Sequence, residues 1–484
     1  MRARPVAALV GWVLVAVGLA LFICAGVAVA MGDPQSSVEA LAWGGEASLA
    51  AGALLAFAMR RPAELTRREG IAVVVFGWAA AALFGAIPFR LSGAVPTWTG
   101  AVFEAMSGLT TTGASVISRP ELMPRGLLLW RAMTHFFGGM GVLVLVVAIL
   151  PMVGTGGMQI FRAEMPGPVK DRLTPRIAGT AKRLWLIYVA LVAAETALLC
   201  AAGLSWFEAV CHAFATIATG GFSTREASVG GLGRPVVEWI IVVFMALSGV
   251  NFALHYRAAQ GRLDAFRRDS EFKLYALMLA GATAVVAAIL FTSGVSASAG
   301  GALRNAAFTV TSIMTTTGFT TEDYDQWPAM ARTILWLLMF VGGCAGSTGG
   351  SVKVVRVLIA LRTMGREIFR WFHPDAVVSV KVDREAVEPD LLTNVVVFVV
   401  LYVALFAAGA AVMTLHFRND WVSAASSAAA CLGNIGPGFG AVGPAANYAA
   451  LPGWALGFLS FLMLLGRLEL FTVLVLFSPA FWRR

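Results

Sequence analysis

Residues 103–116 read FEAMSGLTTTGASV. The stretch begins as a short apolar helix and ends in three threonines, a glycine and a serine. β-Branched threonine and conformationally free glycine both disfavour continuation of a helix. At membrane depth, non-helical backbone is tolerated only where it is buried in protein or lines a water-filled cavity. An ion-selectivity filter is one such cavity, because its backbone carbonyls replace the water around a cation.

The same pattern occurs three more times along the chain. Residues 207–224 read FEAVCHAFATIATGGFST, residues 308–321 read FTVTSIMTTTGFTT, and residues 430–440 read ACLGNIGPGFG. Each copy runs from small or apolar residues into a glycine, and these glycines lie about 100 residues apart. The four glycines are Gly113, Gly220, Gly318 and Gly436. A tight interhelical turn explains one such segment, but four at near-regular spacing indicate an internal repeat.

The composition is that of a membrane protein. Of the 484 residues, 58% are hydrophobic and only 13% are charged, whereas soluble domains carry about 25% charged residues. Many apolar runs reach the length of about 20 residues that spans a bilayer. The five cysteines have no paired spacing, so neither a disulfide framework nor a zinc site is indicated. The chain is therefore predicted to be polytopic, with little left over for a soluble domain.

The apolar runs predict an all-α polytopic membrane protein with ten transmembrane helices and four re-entrant pore-helix and filter loops in pseudo-fourfold arrangement. Two spans come first, at about 5–30 and 38–59. Four units follow, each with a span, a short pore helix that leads into a filter loop, and a second span. The paired spans are predicted at 69–90 and 126–153, 180–203 and 235–257, 270–293 and 328–362, and 390–416 and 452–481. The pore helices with their loops are predicted at 98–114, 205–221, 301–319 and 420–437.

These elements divide the chain into five predicted domains. They are an N-terminal two-helix hairpin at 1–62 and pore repeats at 63–165, 166–262, 263–375 and 376–484. Ten spans place both termini on one side, and most of the 36 Lys and Arg residues fall in the loops of that side. Because cytoplasmic loops carry such an excess, we expect both termini in the cytoplasm and every filter loop to enter from outside. The acidic loop at 322–325 either attracts cations to the outer mouth or is an ordinary solvated loop.

Four loops around one axis can hold a bare monovalent cation with rings of carbonyl oxygens and no formal charge. Glycine lets successive carbonyls turn inward, threonine hydroxyls offer a further ring, and the negative ends of the pore-helix dipoles face the axis. The predicted filter residues are Thr111, Thr112 and Gly113, then Ala218, Thr219 and Gly220, then Thr316, Thr317 and Gly318, and finally Asn434, Ile435 and Gly436. Glu104 and Glu208 precede two of these loops at similar places and either shape the field near the pore or bond to backbone behind the filter.

Two further features lie inside predicted spans. So many glycines and serines fall within 342–351 that a helix there should unwind at mid-membrane, although a close-packed glycine-rich helix crossing is the alternative. Arg467 lies near the middle of the last span, where a charge costs about 2.5–3.5 kcal/mol. It either faces the pore or pairs with an acid on a neighbouring helix. Lys353 either acts in the pore or extends its ammonium group toward the cytoplasm.

These segments resemble the TrkH/KtrB/HKT superfamily of potassium transporters, and its bacterial TrkH branch in particular. SGLTTTGASV, ATGGFST, TTTGFTT and GNIGPGFG stand where that superfamily has its filters. GGCAGSTGGSVKVVR at 342–356 and LLGRLELFTVLVLF at 464–477 match its other signature segments. The resemblance implies potassium as the transported ion and no organic cofactor. In HKT-like relatives serine at the first filter glycine accompanies sodium selectivity, so Gly113 favours potassium.

The resemblance also implies gating and partners. The intramembrane loop beneath the filter, with Gly346, Ser347, Thr348, Gly349 and Lys353, would act as a gate, and Arg467 as an electrostatic barrier. The protein would sit in the cytoplasmic (inner) membrane in contact with lipid, as a homodimer docked to a separate nucleotide-binding regulatory subunit of the TrkA type. No partner nucleic acid is expected.

Three other functions differ in how well they fit the sequence. Cation-coupled potassium symport, with sodium or protons, is compatible with every motif above. A secondary transporter of small organic solutes has inverted repeats and one or two broken helices, so four like-oriented filter loops disfavour it. An intramembrane enzyme needs a convergent set of catalytic side chains, which the sequence lacks. We therefore expect a transport protein and not an enzyme.

Overall fold

The structure, a computed structural model, describes residues 2–57, 65–148, 173–383 and 385–483. These ranges are mostly helical, with one antiparallel hairpin of two short strands, β1 Lys381–Val382 and β2 Glu385–Ala386. The predicted domain boundaries after residues 62 and 165 lie outside the described residues, as does the end of the predicted span 126–153. So do several of the basic residues counted above, namely Arg60, Arg61, Arg162, Lys170, Arg172, Arg384 and Arg484.

The N-terminal hairpin consists of α1 Ala3–Ala30 and α2 Gln35–Phe57, as predicted. Glycines let the two helices approach closely. A Cβ atom built on Gly11 would lie less than 3.0 Å from backbone atoms of Gly52 and Ala56. Close approach matters for helices in lipid because the hydrophobic effect does not drive their association, which depends on van der Waals packing.

In the first two repeats a short pore helix lies between longer elements. Repeat one contains α3 Arg67–Gly85, α4 Ile87–Leu91, the pore helix α5 Trp98–Leu109, and α6 Arg125–Ala148. Repeat two contains α7 Leu173–Ala201, the pore helix α8 Trp206–Ile217, α9 Pro235–Ser248 and α10 Phe252–Ala259, and the short helix α11 Asp264–Arg268 follows at the start of repeat three. The pore helices begin within two residues of the predicted starts.

The last two repeats have the same plan. Repeat three contains α12 Ser270–Thr292, the pore helix α13 Ala299–Met314, α14 Ala329–Leu338 and α15 Val354–Phe372. Repeat four contains α16 Pro389–Met413, the pore helix α17 Trp421–Leu432, α18 Gly453–Arg467, α19 Phe471–Leu474 and the terminal turn α20 Pro479–Trp482.

Six helices of the described ranges are long and apolar enough to cross a membrane, and eight candidates result if each of two bent pairs counts as one span. The bent pairs are α9 with α10, at 101°, and α18 with the helical segment Phe471–Phe477, at 112°. The spans predicted at 235–257 and 452–481 are thus each divided by a sharp bend that was not predicted from the sequence. The predicted break within 328–362 is confirmed, since no helix joins α14 to α15.

Each pore helix begins at a capping side chain. The Thr97, Ser205 and Ser298 hydroxyls and the Asp420 carboxylate each accept a hydrogen bond from a backbone N–H in the first turn of the helix that follows, at 3.0–3.3 Å. Such caps satisfy amides that a short helix leaves without an intrahelical acceptor. The four helices are thus defined at their starts by local sequence, and each directs its C-terminal end toward a filter loop.

Candidate functional site

The four pore helices end in the same backbone motif. The residue after the capping position has a left-handed φ in each loop, at Thr111 (50°), Thr219 (55°), Thr316 (60°) and Asn434 (55°). The next amide bonds back to a carbonyl five residues earlier, at 2.8 Å in all four loops. This is the Schellman ending, which usually places glycine at the left-handed position. Three β-branched threonines there are strained, and such strain persists mainly at functional sites.

The four loops meet in a closed ring. A Cβ atom built on Gly113 would lie less than 3.0 Å from the carbonyl oxygen of Gly220, so loop one abuts loop two. The same test joins the remaining pairs in cyclic order, Gly221 to Thr317, Gly318 to Ile435, and Gly436 to Thr112. Each contact joins a glycine to the carbonyl that occupies the equivalent position in the neighbouring loop. One carbonyl oxygen from each repeat therefore stands in the ring.

The ring corrects the predicted register of the second loop. Gly221, with φ of 79°, is the counterpart of Gly113, whereas Gly220 has no left-handed φ and matches Thr112. Ala218 accordingly follows the helix end, where the other loops have Thr110, Thr315 and Gly433. The sequence motif contains two successive glycines, and only the positions of the neighbouring carbonyls show which one turns. The predictions for the other three loops have the observed register.

A cavity opens on one side of the ring. Its lining includes all four turning glycines, Gly113, Gly221, Gly318 and Gly436. It also includes Asn447 and Tyr448 from the segment after the fourth loop, and the Tyr448 hydroxyl donates to the Gly436 carbonyl at 2.8 Å. Tyr448 had no sequence signal, because it lies outside every repeated motif. The ring is thus accessible from the side on which the loops leave the pore helices.

Buried polar contacts hold the loops from behind. The Glu104 carboxylate accepts from the Val116 amide at 2.9 Å and from the Arg131 guanidinium at 2.7 Å. Arg131 also donates to the Ser223 carbonyl of the second loop at 2.8 Å. Glu104 therefore supports backbone behind the ring, one of the two readings of its role. Glu208 lies four residues nearer its helix start, and the counterpart of Glu104 in repeat two is His212.

The other side of the ring is covered by the glycine-rich segment between α14 and α15. The Gly350 amide donates to the Thr316 hydroxyl at 2.7 Å, and the Thr348 hydroxyl donates to the Ile217 carbonyl at 2.9 Å. A Cβ atom on Gly349 would lie 3.0 Å from the Thr315 carbonyl oxygen. Glycine is required because backbone packs directly against backbone at this point. We call residues 339–353 the intramembrane loop.

Two buried cations contact this loop. Arg467 donates to the carbonyl of Thr348 at 2.7 Å and to that of Gly138 at 3.0 Å, and within the described residues no acid pairs with it. The alternative of an ion pair with a neighbouring acid is thus not seen. The Lys353 ammonium bonds to the Gly349 carbonyl, and the side chain is buried. Gly346, with φ of 70°, packs against the Asn251 side chain.

The side-chain oxygens on the side of the ring that faces the intramembrane loop are unequal. Within the described residues, the Thr111 hydroxyl and the Asn434 amide oxygen lack a hydrogen-bond partner. The Thr219 hydroxyl donates to the Ala218 carbonyl at 2.6 Å, and the Thr316 hydroxyl accepts from the Gly350 amide of the intramembrane loop. The described residues contain no cluster of three or more His, Cys, Asp or Glu side chains suited to a metal ion.

The acidic loop at 322–325 lies beside the ring's outer cavity and not in its lining. The Asp325 carboxylate accepts from the Gly440 amide at 2.8 Å, which ties the third repeat to the fourth. Burial raises the pKa of the Asp325 carboxyl above its ordinary value, and the hydrogen bond from Gly440 opposes that rise. Asp325 is one of the acidic residues considered above for cation attraction, and its carboxylate forms a structural hydrogen bond.

Comparison with known proteins places this arrangement in a family. Residues 37–484 match the TrkH family, described as cation transport proteins. The chain is 43% identical over 440 residues to the Trk system potassium uptake protein TrkH of Salmonella typhimurium, covering 90% of each chain. It is 36% identical to the potassium uptake protein TrkG of Escherichia coli, covering 87% of this chain and 86% of that one.

The fold is also similar to a solved structure. The crystal structure of the potassium transporter TrkH from Vibrio parahaemolyticus superposes with a TM-score of 0.91 at 36% sequence identity, and the match covers all of both chains.

Proposed function

Because the chain belongs to the TrkH family of cation transport proteins, we propose that it mediates potassium uptake across the cytoplasmic membrane. The ion passes through the ring of loop carbonyls, which serves as the selectivity filter. The chain aligns with nine tenths of the length of relatives that are named as potassium uptake proteins. The observation that carries the proposal is the closed cyclic contact of four equivalent carbonyls with four left-handed glycines.

The ring suits a weakly hydrated monovalent cation. It offers neutral backbone oxygens from four directions and no carboxylate, and a divalent ion would ordinarily recruit carboxylates. The ligands we propose are the carbonyls of the residues at the three positions of each loop. They are Thr111, Thr112 and Gly113; Thr219, Gly220 and Gly221; Thr316, Thr317 and Gly318; and Asn434, Ile435 and Gly436.

The intramembrane loop serves as the gate in this proposal. Its residues 348–350 contact the filter loops, and the Arg467 guanidinium donates to the Thr348 carbonyl. A fixed positive charge beside the ion path raises the energy of a cation there. Release of Arg467 from the loop would remove both a mechanical tie and part of that barrier. Lys353 bonds within the loop and would help to hold it in place.

The same family resemblance supports a wider assignment. We propose that the four repeats, divided near residues 62, 165, 262 and 375, surround one pore, with both termini in the cytoplasm. The potassium ion is the cargo, and no organic cofactor takes part. The functional unit would be a homodimer in contact with lipid, bound to a separate regulatory subunit that senses nucleotide.

The test is uptake of rubidium, a potassium analogue, in a bacterial strain that lacks its own potassium uptake. Expression of the chain should restore growth at low potassium and drive rubidium accumulation. Gly221→Ser should weaken the preference for rubidium over sodium, because its side chain would strike the Thr317 carbonyl. Gly457→Ser is the matched control, since a Cβ atom there has no neighbour within 4 Å. If the protein is present in the membrane but growth at low potassium is not restored, the proposal is refuted.

Purified protein in proteoliposomes separates a channel from a symporter. Rubidium influx is measured with potassium inside, and then with an inward sodium or proton gradient added at constant voltage. Flux that follows the rubidium gradient alone identifies passive conduction. Rubidium accumulation against its own gradient, driven by sodium or protons, identifies coupled symport.

A further inference from the structure

The intramembrane loop is closed at its base by one side chain from a different helix. The Glu271 carboxylate oxygen Oε1 accepts from the Ala345 amide at 2.6 Å and from the Val355 amide at 3.0 Å. Ala345 lies on the entering arm of the loop, and Val355 lies just after its leaving arm. Glu271 thus joins the two arms, and it is only 5% exposed.

The position of Glu271 favours this contact. It lies in the first turn of α12, where the helix dipole stabilises a negative charge. The turn itself is fixed from outside, because Asp269 accepts from the Phe272 amide at 2.7 Å and Asp383 accepts from the Ser270 amide at 2.8 Å. The carboxylate is therefore held ready for the loop amides. Hydrogen bonds to an ionised acceptor are about twice as strong as neutral ones.

We propose that Glu271 is the positioning residue of the gate, a clamp that keeps the intramembrane loop folded against the inner side of the filter. The backbone bonds Gly342 to Val352 and Val354 to Gly343, at 2.9 and 3.1 Å, close the same base but are neutral. The clamp holds the shape of the loop independently of the function of the loop. Its consequence for ion flux rests on the proposed function.

Cys344 provides a direct measurement of the clamp. It precedes Ala345 in the chain, and it is only 1% exposed. Purified wild-type protein and variants are treated with a soluble maleimide, and modification of each cysteine is followed by mass spectrometry after proteolysis. Glu271→Ala should speed modification of Cys344 by about tenfold, the effect of losing about 1.4 kcal/mol of protection. Cys24 and Cys431, which are buried elsewhere, should keep their wild-type rates.

Two variants control the measurement. Glu271→Gln keeps an oxygen that can accept from both amides but loses the charge, so Cys344 should react about two- to threefold faster than in the wild type. Asp264→Ala removes an exposed acid of the neighbouring helix α11 whose ion-pair partner is Arg268, and it should change nothing. If Glu271→Ala also speeds modification of Cys24 and Cys431, the fold has loosened and Glu271→Gln decides. A rise confined to Cys344 supports the clamp, and no rise overturns it.

Rubidium flux into proteoliposomes tests the consequence for the gate. Glu271→Ala should raise flux in the absence of any regulatory partner, and Glu271→Gln should restore values near wild type. Unchanged Cys344 reactivity in a folded Glu271→Ala protein overturns the clamp. Faster Cys344 modification with unchanged flux supports the clamp and overturns the gating role proposed for the loop.

Discussion

Substitution of Gly113 by serine tests the filter most directly. Gly113 has φ of 83°, and a Cβ atom there would lie less than 3.0 Å from the Gly220 carbonyl oxygen, one of the four ring oxygens. Ordinary contacts of this kind exceed 3.4 Å, so either the carbonyl or the serine backbone must move. A left-handed conformation costs a residue with a Cβ atom about 1–2 kcal/mol. Relief of this strain therefore displaces atoms of the ring.

That strain bounds the expected loss of selectivity. In the proposed function, potassium is favoured over sodium by the number and arrangement of the carbonyl oxygens in the ring. Distortion of one quarter of the ring can reduce this preference by about the strain energy. A change of about 1–2 kcal/mol corresponds to about a 5- to 30-fold fall in the potassium-to-sodium permeability ratio.

The ratio is measured from reversal potentials of purified protein in planar bilayers, or from competition of sodium with rubidium influx into proteoliposomes. Gly457→Ser is again the control, because it adds the same side chain to the same fold in open space. An unchanged ratio in a folded Gly113→Ser protein would mean that the ring carbonyls do not discriminate between the ions.

The remaining predictions concern the ring's neighbours. Gly221→Ser should lower the permeability ratio as much as Gly113→Ser, and a wild-type ratio would contradict the observed register of loop two. Arg467→Ala should raise rubidium flux several-fold while Arg467→Lys retains the barrier, and equal flux in all three proteins would assign this arginine to packing. Arg131→Ala should cost about 3–5 kcal/mol of stability by leaving a buried carboxylate unpaired, which a lowered melting temperature in detergent would report. Thr316→Val removes the acceptor of the loop amide and should raise basal flux, and a lower flux would contradict a closed loop.

Much of this architecture can be predicted from the sequence because backbone strain leaves a compositional trace. Non-helical backbone inside a membrane requires glycine or small polar residues, so the repeats and the break within 328–362 are visible as interruptions in apolar runs. The short pore helices are predicted because a small or apolar segment precedes each filter glycine, and the structure adds the capping side chains at which they begin. The charge of Arg467 stands out for the same reason, since an apolar span ordinarily excludes it.

The register of the second loop could not be predicted in this way. In the Schellman endings of this ring, the position that usually takes glycine is occupied by threonine or asparagine, and the glycine stands two residues later. Sequence comparison alone aligns the first glycine of ATGGFST with Gly113. The contact between Gly221 and the Thr317 carbonyl decides otherwise, and this contact joins two repeats that are far apart in the chain.

The bend at Gly249–Asn251 was missed for a related reason, because the intramembrane loop stabilises it. The Gly249 carbonyl accepts from the Cys344 amide at 2.8 Å, and the Phe252 amide donates to the Gly346 carbonyl at 3.1 Å. The loop thus satisfies backbone groups that the bent helix releases. The Asn251 side chain caps the helix after the bend, where it accepts from the Ala253 amide at 2.8 Å. Glycine is required on both sides of this contact, since a Cβ atom on Gly249 would lie 2.5 Å from the Tyr275 hydroxyl. The bend is therefore predicted by Gly249 and Asn251 only when they are considered together with the glycine-rich loop that packs against them.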